Sequence, residues 1–142
     1  MRSAIESMST EDCVTLLSGT TTVGRIAFQS SAGQELLPVN FVFRGGRVYF
    51  KTSRESMLAE LATTPAEVAF EIDYPDRMTQ HGWSVLVKGK AREVAEAEID
   101  LSPEPARPWG PRSPRPWAPG LRDVLIEVTP EQITGRRIRN NP

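Results

Sequence analysis

Two adjacent glycines, Gly45 and Gly46, separate Leu36–Phe43 from Arg47–Lys51, two runs rich in Val, Phe and Tyr. A Gly-Gly connection of this kind accepts positive φ at both positions and folds the flanking runs back on each other as an antiparallel hairpin. Other segments follow the same logic. Val23–Gln29 reads as a strand ending near a turn at Gly33. Val68, Phe70 and Ile72 alternate with Glu67, Ala69 and Glu71, the period of a half-buried strand. Trp83, Val85 and Val87 alternate with Ser84, Leu86 and Lys88 in a longer strand that runs on through Gly89 and Ala91. Val124–Val128 and Ile133–Ile138 are expected as two closing strands. Strands in hairpin order, without regular crossover helices, favour an antiparallel sheet. So small a sheet avoids exposed edges best by closing into a barrel. The expectation is a mainly β fold of six or seven short strands.

Two helices fit between them. Ser9-Thr10-Glu11-Asp12 precedes Cys13, Val14, Leu16 and Leu17, which gives a hydroxyl cap, acids in the first turn and apolar residues at helical spacing. Gly19 ends that helix. Ser53 is a candidate cap for a second helix carrying Met57, Leu58 and Leu61 and stopped near Pro65. Tyr74–His81 reads as a polar loop, and residues 95–101 as one or two helical turns. A loop at about 102–120 holds seven of the 12 prolines, with Trp109 and Trp117. Proline fixes φ and removes donors, so regular structure is not expected there. A single domain spanning 1–142 follows, because the residues after that loop are too few for a second core.

Charge and composition remove several function classes. The formal net charge of -1 argues against a general nucleic-acid binder. No apolar run approaches the roughly 20 residues of a membrane-spanning helix, and the first dozen residues lack the apolar stretch of a signal peptide. Cys13 is the only cysteine, so no intramolecular disulfide forms, and a reducing cytoplasm is the simple expectation. His81 is the only histidine, and no spacing suggests a metal site. No Gly-rich nucleotide loop is present. Any redox or group-transfer chemistry must then belong largely to a cofactor.

The segment Lys51-Thr52-Ser53-Arg54-Glu55-Ser56 best suits holding one. It puts two cations and three hydroxyls between a strand end and a helix start, where free N–H groups and the helix dipole favour an anion. The same residues also suit an ordinary helix cap beside a solvated charge cluster.

The motifs in order (STEDCVTLL, VGRIAF, LLPVNFVF, GGRVYFKTS, SMLAEL, VAFEID, GWSVLVKGKA and TGRRI) resemble the pyridoxamine 5′-phosphate oxidase-like flavoproteins, the FMN-binding split-barrel family, and in particular its small actinobacterial-type members. The resemblance runs from about Ser9 to Ile138. It implies a six-stranded antiparallel split β-barrel, a homodimer, and FMN held in a cleft between subunits. Lys51, Thr52 and Ser56 match positions around the phosphate and ribityl oxygens. The backbone of Pro38, Val39 and Asn40 matches the strand along the flavin. Ser84, beside Trp83, matches a polar contact to the cofactor, and Arg136 or Arg137 a late family arginine. Met57 departs from the family, which commonly carries Lys or Arg there to pair with phosphate. The reading is an FMN-dependent oxidoreductase acting on a small-molecule substrate that the sequence does not name, with no identifiable general acid or base. Two alternatives on the same fold are a deazaflavin-dependent reductase and a non-catalytic module that binds or stores flavin.

Overall fold

A computed structural model of the chain describes residues 2–19, 21–64, 66–99 and 123–141. The strands are β1 (Arg2–Met8), β2 (Val23–Ser30), β3 (Gly33–Arg44), β4 (Arg47–Thr52), β5 (Ala66–Asp76), β6 (His81–Val94) and β7 (Val124–Asn141). Neighbours run antiparallel in the order β1-β7-β4-β3-β2-β5-β6, and a further pairing of β6 with β7 closes β2 to β7 into a ring of six. The first half of β7 lies between β4 and β6. Its second half stays on β6 and takes β1 along its other edge. The Gly45-Gly46 hairpin forms as expected, with φ of +60° and +78° at the two glycines. Positive φ at both positions matches the twist of the flanking strands.

The ring interior is the core. Ile26, Phe41, Phe50, Phe70, Ile72, Val85, Val87 and Ile126 are buried there. Each such side chain contributes about 1.5–3 kcal/mol on leaving water. The rings of Phe41 and Phe70 meet edge to face, 4.8 Å apart at 70°. Helix α1 (Thr10–Leu17) starts at Ser9, whose hydroxyl accepts from the Asp12 N–H at 3.1 Å, and it buries Cys13 and Leu17. It docks against Gly135 of β7, where any added Cβ would run into the Cys13 sulfur and the Met8 methyl. A 3-10 turn (Met57–Ala59) leads into the short helix α2 (Glu60–Thr63), and together they bury Leu58 and Leu61. A second cluster lies on the outer face of the ring, where Val42, Tyr49, Val94 and Leu125 pack together with Ile99 against them.

The structure corrects four expectations. The two closing strands are one strand of 18 residues. Pro130, between the two expected runs, sits at a β-bulge: Lys88 pairs with Gln132 and Gly89 with Pro130, so Glu131 is the extra residue. A bulge tolerates the missing proline N–H. β1 was not foreseen, because its pairing with β7 leaves Ile5 exposed and gives no core periodicity. The cap of the second helical segment is Ser56, not Ser53. Tyr74–His81 is half strand: β5 continues to Asp76, β6 starts at His81, and residues 77–80 turn between them. Asp76 holds that turn by accepting from the N–H groups of Met78 and Thr79. These bonds, with that of the Thr79 hydroxyl foremost, hold its carboxyl below the ordinary range. The one or two helical turns expected at 95–101 are met, among the described residues, by one 3-10 turn, Glu96–Glu98. The proline-rich loop at about 102–120, with Trp109 and Trp117, lies outside the described residues.

Candidate functional site

The end of β4 carries the cations. Register places Lys51 opposite Leu125 of β7, and Leu125 opposite Val94 of β6, so Lys51 stands on the outer face just past the outer apolar cluster. Past β4 the chain turns, and Arg54 swings towards the end of β6. Lys51 and Arg54 line one groove of about 440 Å³ with Glu93, Val94, Ala95, Glu96, Asp123 and Leu125. That volume falls within the usual range for small-molecule sites, about 300–1,000 Å³. Both cations hold carboxylates. Lys51 Nζ donates to Glu96 Oε1 at 2.7 Å. Arg54 Nη2 donates to Glu93 Oε2 at 2.8 Å, and its Nε lies 3.7 Å from Asp123 Oδ2.

The remaining expected residues separate into those near this groove and those far from it. Thr52 is the next residue of β4 and is buried, pointing away from Lys51 as strand alternation requires. The Ser56 hydroxyl accepts from the Leu58 N–H at 3.1 Å, which makes it the helix cap. Met57 is 39% exposed at the first position of a three-residue 3-10 turn. So short a turn has little dipole to offer an anion. Pro38, Val39 and Asn40 lie on β3 opposite Arg25, Gly24 and Val23 of β2. On the β4 side of β3 the pairing ends at Phe41–Phe50. Pro38–Asn40 therefore lies beyond the last β3–β4 pair, held on its other edge by β2, and does not line the groove of Lys51 and Arg54.

Trp83, Ser84 and Arg136 form a separate group. Ser84 pairs with Arg136, and Trp83 with Tyr74. They share a cleft of about 260 Å³ with Ile5, Asp73 and Ile138. The Trp83 and Tyr74 rings stack 6.4 Å apart at 20°. Trp83 lies near the start of β6, and the cation groove lies at its other end beside Val94, roughly 35 Å away along an extended strand. One chain does not bring the two groups together.

Cys13 is fully buried in α1, and burial, followed by the Asp12 charge, pushes its thiol up. It is a core residue and not a nucleophile. Sequence reasoning missed the groove carboxylates Glu93, Glu96 and Asp123. Their one signal is their position at the two ends of the proline-rich segment's flanks, close to the end of β6 and the start of β7.

Residues 9–137 match the family described as Pyridoxamine 5′-phosphate oxidase. The chain belongs to this family. An uncharacterized protein of Mycobacterium tuberculosis is 32% identical over 119 residues, covering 81% of this chain and 74% of that protein. Among solved structures, the FAD binding protein from Mycobacterium smegmatis is 31% identical, with a TM-score of 0.69 over 96% of this chain and 100% of that one. A conserved protein of unknown function from Corynebacterium diphtheriae is 28% identical, with a TM-score of 0.67 over 93% of this chain and 96% of that one. Membership of the pyridoxamine 5′-phosphate oxidase family agrees with the ring of six antiparallel strands, and the match spans every element from α1 into the second half of β7.

Proposed function

We propose that two copies of this pyridoxamine 5′-phosphate oxidase family chain bind a flavin, FMN in our reading, and use it as an oxidoreductase on a small-molecule substrate. The observation that carries this is the groove at the end of β4, which Lys51 and Arg54 line, with Pro38–Asn40, paired to β2 on one edge, just beyond the last β3–β4 pair. The donor set suits a phosphate-bearing planar ligand in kind: cations for the phosphate and strand backbone for the polar edge of a ring. The likeness to a mycobacterial FAD binding protein supports a flavin as that ligand. A bound flavin supplies hydride or electron transfer.

The chain's own residues bind, orient and shield. Lys51, with Arg54, holds the phosphate. The main chain of Pro38, Val39 and Asn40 aligns the ring. Ser56 and Met57 border the ribityl side, and Thr52 packs beneath it. Trp83 and Ser84 on β6 and Arg136 on β7 sit too far along their strands to serve the same groove, so in this reading they reach the flavin from a second subunit. That makes the homodimer part of the site.

One observation favours a second reading, a non-catalytic flavin carrier. Three carboxylates face two cations in the groove, and Met57 adds no donor, so phosphate is held weakly. Mass spectrometry of the small molecule that co-purifies decides the ligand among FMN, FAD and a deazaflavin. Turnover of NAD(P)H by the loaded protein separates enzyme from carrier. Protein that is colourless, and takes up none of these on incubation, would refute the proposal.

A further inference from the structure

We infer that Glu96 is a tethered competitor for the anion that Lys51 is placed to bind. The inference rests on the reading of the Lys51 groove as a phosphate site. Lys51 is held by the β4 register, and its side chain is only 17% exposed. Its bond to Glu96, at 2.7 Å, occupies the ammonium with a carboxylate. Glu96 itself is 59% exposed and sits on a three-residue 3-10 turn at the groove rim.

The two partners differ in what holds them. The turn is closed by the Glu98 N–H to Ala95 carbonyl and Ile99 N–H to Glu96 carbonyl bonds. Ile99 anchors it by packing against the outer apolar cluster. The Glu96 side chain can therefore swing into solvent while its backbone stays in place. Arg54 has two carboxylates of its own, Glu93 and Asp123, and neither contacts Lys51. Lys51 is the cation that a single rotamer change releases.

Charge gives the exchange its direction. With Glu96 in place the groove carries one net negative charge, which opposes a phosphate of about −1.5 to −2. With Glu96 turned out, the remaining side chains balance, and phosphate replaces the carboxylate on Lys51. A side chain tethered this closely competes at an effective concentration on the order of millimolar. Free anions weaker than that leave Lys51 on Glu96, while a ligand anchored elsewhere by its ring displaces it. Glu96 thus sets the preference between phosphorylated and unphosphorylated forms of the same ligand.

The test compares wild type, Glu96→Gln and Glu98→Gln, the last removing the same charge from the same turn without touching Lys51. Inorganic phosphate is titrated against the amide NMR signals of Lys51–Ser56, and FMN and riboflavin against flavin fluorescence. Glu96→Gln is expected to tighten inorganic phosphate and FMN about three- to tenfold, the scale of one partly sheltered ion pair. Riboflavin should change by less than about twofold, and Glu98→Gln should leave all three ligands near wild type. Equal effects of the two variants on phosphate, or equal gains for FMN and riboflavin, would overturn the inference even if flavin binds. Tighter phosphate in Glu96→Gln with no flavin bound by any variant would uphold the competition and remove the flavin reading instead.

Discussion

Tyr49 and Glu127 are direct partners across β4 and β7, and the tyrosine hydroxyl donates to Glu127 Oε2 at 3.0 Å. The carboxylate is 1% exposed, yet it also accepts from Arg92 Nε at 3.2 Å and lies 3.6 Å from Arg47 Nη1. Val42, Tyr49, Glu127 and Arg92 thus form one row across four strands of the ring's outer face. Both arginines are about half exposed and can rehydrate when the carboxylate goes. The cost of Glu127→Ala therefore falls on lost hydrogen bonds and a small cavity, about 2–3 kcal/mol. Tyr49→Phe, which leaves both ion pairs, should cost about 1 kcal/mol. Urea melts measure both, and a Glu127→Ala midpoint equal to wild type would contradict the account.

The same pair gives the protein an alkaline limit. Burial, followed by the hydrogen bond to Glu127 and its charge, raises the Tyr49 hydroxyl above its ordinary value of 10.0. A proton held more tightly in the folded state stabilises it fully below the unfolded value, and that stability is lost as pH rises through the folded value. Stability should therefore be flat up to about pH 10 from this group and fall beyond it. Tyr49→Phe should flatten that decline. Denaturation midpoints taken across the alkaline range, beside the absorbance of tyrosinate, provide the check.

Met57→Lys should tighten FMN by about 1–3 kcal/mol, the range for one charge-assisted bond. Met57 is 39% exposed, so the new ammonium is partly screened, and the gain should shrink as salt is added. Riboflavin should gain much less. Equal gains for FMN and riboflavin would place the phosphate away from Met57.

Mixing two inactive variants tests whether the site spans two subunits. Lys51→Ala removes the groove cation, and Arg136→Ala removes a side chain from the distant cleft. In a two-fold dimer, random exchange restores one intact site in each mixed dimer, about a quarter of all sites. Flavin binding that reappears to that extent on mixing supports the shared site. No recovery, from variants shown by light scattering to exchange as dimers, would confine the site to a single chain.

Most of the ring was legible because its signals are local. Alternation in Val68–Ile72 and Trp83–Val87 and the Gly-Gly turn each depend on a few neighbouring residues. The continuity of β7 was not, since Pro130 reads as a break until the bulge opposite Gly89 is seen. β1 was hidden for a similar reason: it gains its place from β7 and not from its own pattern. At the candidate site, Lys51 and Arg54 could be singled out by residue type and position. Their carboxylate partners could not, because Glu93, Glu96 and Asp123 meet them only once β4, β6 and β7 lie side by side. Met57 and Ser56 were legible as positions and not as contacts.

Both seams of the ring wait on one strand. β4 and β6 each lack a partner on one side until Val124–Val128 arrives between them. Translation at about 5–20 residues per second separates the end of β4 from the start of β7 by roughly 4–15 s. Throughout that interval a nascent chain presents the open edge of β4, with its Val, Tyr and Phe side chains, and from residue 94 onward also that of β6, with its Trp, Val and Leu side chains, to other chains on the same message. Slowing elongation between codons 53 and 123 should therefore lower the soluble yield without altering a single contact of the finished protein, and speeding it should do the reverse.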